Sequence, residues 1–396
     1  MTEERQYDLA LFGATGFTGG LTARYLAENG PEGLRWALVG RNRGKLEAVR
    51  SSLEPLLRAG VVAPDLLIAD AADTSALAKV AEEAKVVITT VGPYALHGEP
   101  LVAACAAAGT DYVDLTGEPE FVDRMWLGYH EKAQASGARL VHCCGFDSIP
   151  HDLGAYFTVK HLPEGVPLAV NGYVRTGAEF SGGTFSSAIT GFSRARQTVS
   201  AARSRRRLEQ RPAGRKIHSA PPRPRHDSDL GGWVMPLPTI DGAVVRRSAA
   251  ALERYGPDFT YGHNAVAKHL SSVAATAGGV GAALMLAQLA PTRKLLLKAF
   301  PSPGEGPSEE TRAKSWFKIT FVGEGGGKRV VTEVSGGDPG YSETSKMLAE
   351  SGLCLAFDEL PESAGQVTTA TAMGDALLDR LQAAGIGFQL VEPAPA

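Results

Sequence analysis

The 396-residue chain is poor in cysteine, with four in all: Cys105, Cys143, Cys144 and Cys354. Two are adjacent and two are remote, a spacing that gives neither a disulfide framework nor a zinc site. Buried reduced thiols and no metal centre are therefore expected. No run of eighteen purely apolar residues occurs, which argues against a confident membrane-spanning helix. The amino terminus lacks the apolar stretch of a secretory leader, so a cytoplasmic location is expected. A net charge of −3 gives the whole molecule no bias toward nucleic acid. With 44% hydrophobic residues the chain can bury a large core, most simply as two domains.

What is present begins with Gly13-Ala14-Thr15-Gly16-Phe17-Thr18-Gly19. This stretch follows the apolar run Tyr7–Phe12 and opens a helical segment, Leu21–Leu26. A strand, a glycine-punctuated turn and a helix start together make an anion site. Glycines let the backbone approach a pyrophosphate, and the free N–H groups and helix dipole favour its charge. The second strand, Arg35–Val39, leads into Gly40-Arg41-Asn42-Arg43-Gly44-Lys45. It lacks the Asp or Glu that would grip a ribose 2′-hydroxyl. Arg41 suits a 2′-phosphate as a bidentate partner, with Arg43 or Lys45 in support, so the cofactor read here is NADP(H) rather than NAD(H). The competing reading is a solvated basic turn that caps the helix Leu46–Leu57.

Strand and helix alternate through residue 145. Further candidate strands are Leu66–Ala69, Val86–Val91, Asp111–Leu115 and Arg139–His142. Asp73 reads as the cap of a helix over Thr74–Ala84, and Gly109 as the stop of Leu101–Ala108. The fold class is α/β, a doubly wound parallel sheet that binds ligands at the carboxyl ends of its strands. Those ends place Asp70 toward the adenine and Thr90-Val91-Gly92-Pro93 beneath the nicotinamide ribose. After residue 150 the pattern becomes α+β. Val170–Arg175 reads as a strand, Thr184–Ala195 as a helix, and Trp316–Val322 with Arg329–Val334 as a hairpin. Helices are expected over Ser345–Glu350 and Met373–Ala383.

Two segments break the pattern. Arg194–Arg225 holds eleven Arg or Lys residues against one acid, Glu209. That composition predicts a mobile, solvated excursion; the functional alternative is a docking surface for an acidic partner, such as an acyl carrier protein or an anionic membrane. Val273–Gln288 is apolar and rich in Ala and Gly, followed by Arg293, Lys294 and Lys298. A core or dimer-interface helix is expected, the alternative being a lid over a lipid-like substrate or an interfacial anchor.

The glycine stretch, Gly40-Arg41, Val91-Gly92-Pro93-Tyr94 and Cys144-Gly145-Phe146-Asp147-Ser148-Ile149-Pro150 together resemble the saccharopine dehydrogenase-like oxidoreductases. Within them the chain is similar to the trans-acting enoyl reductases of polyketide-derived lipid assembly, a similarity that extends to Ser181-Gly182-Gly183-Thr184 and Gly340-Tyr341. The resemblance implies an amino-terminal Rossmann domain, expected over residues 1–150. It also implies a second domain on a mixed sheet, 151–340, and a carboxyl-terminal segment, 341–396, that packs back on the first. The nicotinamide cofactor would be held by Gly13, Gly16, Gly19 and Arg41. Imine-reducing branches need cations placed to hold several carboxylates, and the basic residues here do not read as such a pocket.

Reduction of an activated C=C needs an enolate stabiliser and a proton donor. Tyr94 is the first candidate for either role, with His97 beside it; packing against the cofactor ring is the alternative. Asp147 and His151 are candidates to line the cleft, and Tyr341 is a weaker one. Ser148 reads as a helix cap and Asp152 as part of the same helix start. Tyr156 and Lys160 have the spacing of a short-chain dehydrogenase pair but lack its upstream Ser, and read as an ordinary helix pair. Three functions stay open: an NADPH-dependent enoyl reductase for a hydrophobic acyl chain, free or carrier-bound; an imine or carbonyl reductase; and a non-catalytic NADP-binding protein at lipid surfaces.

Overall fold

The computed structural model describes residues 5–178, 189, 191, 193–288, 291–292 and 306–391. Its strands, numbered in chain order, form two sheets. The first comprises β1 (Tyr7–Phe12), β2 (Trp36–Gly40), β3 (Asp65–Ile68), β4 (Ala84–Thr89), β5 (Asp111–Asp114), β6 (Arg139–Val141) and β14 (Gly365–Val367). Their order is β14-β6-β5-β4-β1-β2-β3, with every pair parallel. The reversal of strand order at β1 and β4 opens the crevice in which such sheets bind ligands. Every residue of β1 is buried, as expected of a central strand covered on both faces.

Local chemistry sets the helices of this half. Asp73 caps Thr74–Glu83, its Oδ1 accepting from the Ser75 and Ala76 N–H groups at 3.1 Å. Gly109, at φ +69°, closes Glu99–Ala108. The helix expected over Leu46–Leu57 runs instead from Arg43 to Leu53 and gives way to a 3₁₀ turn at Glu54–Leu56. Pro55 has no N–H to continue the α-helical ladder. β4 ends at Thr89, two residues short of the expected Val91, because Thr89 is the last residue paired with β1 and the chain then bends toward Gly92 and Pro93.

The second sheet is mixed. It comprises β7 (Leu168–Thr176), β8 (Lys216–Ser219), β9 (Arg225–Asp227), β10 (Gly232–Pro236), β11 (Asp258–Ala267), β12 (Phe317–Gly325), β13 (Lys328–Gly336) and β15 (Gly387–Val391). The order is β15-β13-β12-β7-β11-β10-β9, with β8 also on β11. β12 and β13 make the expected hairpin across Gly326 and Gly327, both at positive φ, as a two-residue turn of this hand requires. The carboxyl-terminal segment serves both sheets. Its helix Ser342–Phe357 lies beside Phe17–Asn29, where the Tyr25 hydroxyl donates to Glu350 at 2.7 Å, and β14 extends the first sheet. β15 then joins the second.

Arg194–Arg225 is not a solvated excursion. It contains the helix Ala195–Leu208, and Arg194, Arg205 and Arg215 find partners elsewhere in the fold, while Arg196, Arg203 and Arg207 stay exposed. Arg205 is buried against Asp123 at 3.2 Å and Glu209 at 2.6 Å, and Arg194 forks onto Glu120. Arg215 donates to the carbonyls of Ala249, Ala250, Leu252 and Gly256. The helix expected over Thr184–Ala195 lies mostly outside the described residues, as do Ser181–Thr184, Arg293, Lys294 and Lys298. The apolar stretch Val273–Gln288 falls within a helix, Leu270–Ala287, and among the described residues no helix is long and apolar enough to cross a membrane.

Candidate functional site

The turn after β1 is built for close backbone approach. Gly13 lies at φ +95°, and a β-carbon on Gly19 would sit 2.1 Å from the Gly13 carbonyl oxygen, so neither position accepts a side chain. Gly16 occupies the cap position of the helix Phe17–Asn29 with no side-chain cap, and the first turn carries no acid. Its N–H groups therefore remain for an anion. Ala14 is buried, whereas Thr15 and Gly16 are exposed at the rim. Thr18, on the first turn, passes its carbonyl to Thr22 and Ser345. Phe17 does not point into the turn; its ring meets Tyr341 edge-on at 4.8 Å and the Arg312 guanidinium at 5.3 Å.

Beside this turn an open pocket is lined by Thr15, Arg41, Asn42, Lys45, Asp70 and Asp73, among others. Arg41 and Lys45 are exposed in it, and Arg41 lies 4.0 Å from Asp70. Asp70 also accepts the Ala72 N–H at 2.9 Å, so one of its oxygens serves the local turn. Arg43 is turned away and pairs with Glu47 at 3.6 Å on its own helix. The two remaining cations line the same pocket, a pairing chemically suited to a phosphate.

At the carboxyl end of β4, Thr90 hydrogen bonds back to Phe12 and Gly13, fixing the turn against the glycines. Val91 and Pro93 are half-buried and Gly92 is exposed. Tyr94 differs from its expected role. Its ring is buried, and its hydroxyl donates to the Thr89 carbonyl at 3.1 Å and accepts the Leu115 N–H at 3.2 Å. Burial, with Asp114 nearby, pushes that phenol well above its ordinary pKa. A phenol so engaged packs the strand ends together rather than delivering a proton. His97 is exposed at the end of the short helix Tyr94–His97.

Asp147 is half-buried, and a β-carbon on Gly117 would lie 3.0 Å from its Oδ1, which puts the carboxyl at the end of the β5 loop. Burial, with the charges of Asp241 and Asp114 added, raises its pKa to about 7. His151 is buried, and its Nε2 lies 3.4 Å from Asp241 Oδ1. Burial depresses its pKa to about 4, so the ring is neutral at neutral pH. Ser148 occupies the helix cap position but makes no side-chain cap; its hydroxyl donates to the Asp147 carbonyl at 2.6 Å. Asp152 is structural: it accepts from Ser248 at 2.5 Å, and from the Thr369 hydroxyl and Ala370 N–H at 2.7 and 2.9 Å. Lys160 lies over the Tyr156 ring and pairs with Asp375, an anchor for the tail rather than a catalytic pair.

Four residues of this region carry no sequence motif. Asp114, fully buried, accepts from Thr116 N–H, Cys143 N–H and the Tyr112 hydroxyl, each at 3.0 Å, and faces His142 Nδ1 at 2.6 Å. Glu118 accepts the Tyr94 and Ala95 N–H groups at 3.0 and 2.8 Å. Asp241 and His263 approach His151 from the second half of the chain. The acid spacing of Asp111, Asp114 and Glu118 at a strand end was a usable signal for the first two; nothing marked the others.

Residues 9–141 match the family model of the saccharopine dehydrogenase NADP binding domain. Over 421 aligned residues the chain is 40% identical to a protein of Mycobacterium tuberculosis (strain H37Rv) provisionally named a trans-acting enoyl reductase, with 97% of each covered. It is 36% identical over 418 residues to the trans-acting enoyl reductase of Mycobacterium ulcerans, again with 97% of each covered. The chain belongs to the trans-acting enoyl reductase family. The family's fold is that of saccharopine dehydrogenase. The apo enzyme from Saccharomyces cerevisiae superposes with a TM-score of 0.55 at 13% identity, covering 97% of this chain and 99% of that one. The glycine turn and the Arg41 pocket both fall within the matched NADP-binding region of this family member, whose cofactor is NADP(H).

Proposed function

We propose that this chain is an NADPH-dependent enoyl reductase that saturates a C=C conjugated to the carbonyl of a hydrophobic acyl substrate, free or carrier-bound. Near-full-length identity to proteins of that name supports the reaction class. The observation that carries the chemistry is Asp147, a carboxyl at the strand ends whose pKa of about 7 leaves much of it protonated at neutral pH. The bound cofactor supplies the hydride. Gly13, Gly16 and Gly19 would admit its pyrophosphate to the helix N-terminus, and Arg41 with Lys45 would hold the 2′-phosphate. Asp147 would hold the proton that the α-carbon takes up.

Imine reduction of an amino-acid substrate is less well supported. Arg194 and Arg205 are committed to Glu120, Asp123 and Glu209 rather than grouped for substrate carboxylates. For the carrier we assign the outward face of the helix Ala195–Leu208, where Arg196, Arg203 and Arg207 line a shallow surface pocket suited to an acidic protein. The test is NADPH consumption by the purified chain. Loss with crotonyl or longer enoyl thioesters supports the proposal. Loss only with a keto acid plus an amine replaces it with imine reduction, and tight cofactor binding without turnover makes the chain non-catalytic.

A further inference from the structure

We propose that His151, Asp241 and His263 form a binding site for one divalent ion of the zinc class, a centre the sequence alone gave no reason to expect. The three residues come from separate elements: the first turn of the helix Ile149–Lys160, the first residue of the helix Asp241–Ala251, and β11. Their potential ligand atoms all lie within 4.8 Å of one another, the only such group among the described residues. His151 Nε2 is 3.4 Å from Asp241 Oδ1, and His263 Nε2 is 3.5 Å from Asp241 Oδ2.

Those separations decide between two readings. Nitrogen–oxygen hydrogen bonds cluster at about 2.7–3.2 Å. A tetrahedron with ligands about 2.0–2.1 Å from its centre has edges of about 3.3–3.4 Å. The two histidine–aspartate separations therefore match the edges of such a shell better than they match hydrogen bonds, and the remaining separation, within 4.8 Å, would shorten as the ligands close on an ion. Asp241 Oδ1 is buried with no hydrogen-bond partner, and each ring also carries a buried Nδ1 without one. Neither imidazole is thus committed through Nδ1 to a network that metal binding would have to break. Among the described residues Asp241 has no Lys or Arg partner; its ionic contacts are the two histidines. A buried carboxylate without a cation is costly, and a bound ion would supply the missing charge.

Two imidazoles and one carboxylate suit a borderline ion such as zinc; magnesium and calcium favour oxygen shells. Three protein ligands leave one position for water or a carbonyl oxygen. Because the ligands come from three separate elements, the ion would also tie the helix after β6 to the helix Asp241–Ala251 and to β11.

The test uses the untagged full chain, stripped with chelator and titrated with zinc chloride by calorimetry and with cobalt chloride by visible absorption. The site predicts one ion per chain, the d–d bands of a low-coordinate cobalt centre, and no competition from magnesium. Asp241→Asn and His263→Gln should each weaken zinc binding at least tenfold while far-UV circular dichroism and NADPH binding persist. If one variant fails to fold, the other carries the test. Absence of zinc binding by the wild type, or equal binding by wild type and folded variants, would overturn the site. Neither readout requires enoyl reduction, so the metal site can fail without the reductase reading failing.

Discussion

The Tyr94 hydroxyl donates to the carbonyl of Thr89 at 3.1 Å, joining the short helix after β4 to the strand it leaves. With the Leu115 N–H as its second partner, this phenol ties β4 to the loop after β5. Tyr94→Phe should therefore lower stability by about 1–3 kcal/mol, the cost of leaving a buried carbonyl and N–H without their partner. Its turnover should stay within about twofold of the wild type. Urea unfolding and steady-state rates on the same preparation check both halves of the prediction.

Arg41 is exposed in the pocket with only a loose 4.0 Å approach to Asp70, whereas Arg43 is turned onto Glu47 of its own helix at 3.6 Å. Arg41→Ala should weaken NADPH binding by about 10- to 150-fold, the equivalent of about 1.5–3 kcal/mol of charge-assisted hydrogen bonding. NADH affinity should barely change, and Arg43→Ala should have a small effect. Calorimetric titration of both nucleotides against both variants separates the two arginines.

Asp147, raised to about 7 by burial and by its acidic neighbours, sets a pH dependence of known sign. A proton donor must be protonated, so the rate should be full below that value and fall as pH rises through 7. Asp147→Asn should lose about 10²- to 10⁴-fold in rate. The same raised pKa means that the folded chain binds more protons than the unfolded one between the ordinary carboxylate range and 7. Wild-type stability therefore falls across that window, and Asp147→Asn should flatten the fall. Denaturation midpoints measured at several pH values check this independently of activity.

Asp152 gathers Ser248, Thr369 and the Ala370 N–H, so one buried carboxylate fastens the carboxyl-terminal segment to the helix after β6. Asp152→Ala should cost about 2–4 kcal/mol by leaving several buried donors unsatisfied. A lower urea midpoint with unchanged slope would register it.

These residues also show which parts of the molecule could be read in advance. Gly13 and Gly19 lie just after β1 and Arg41 just after β2, so the backbone freedom and the charge they offer can each be read from a short local stretch. Asp241 and His263 meet His151 only because β11 and the helix Asp241–Ala251 pack against the helix after β6. No local spacing encodes that meeting. Arg205 misled for the opposite reason: a run of basic residues resembles a solvated segment until Asp123, some eighty positions earlier, is folded against it. Tyr94 follows the carboxyl end of β4, as its place in the chain implies, but whether a phenol offers its proton depends on backbone partners that only the folded chain supplies.

The decisive measurement is where a label goes when the chain turns over NADPH deuterated at the reactive C4 position with a trans-2-enoyl thioester. Mass spectrometry and NMR of the product should place the deuterium on the β-carbon of a saturated thioester, with one product formed per cofactor consumed. Deuterium on a carbonyl-derived or amine-bearing carbon, or no transfer to any enoyl thioester under conditions where NADPH binds, would contradict the assignment of this chain as an enoyl reductase.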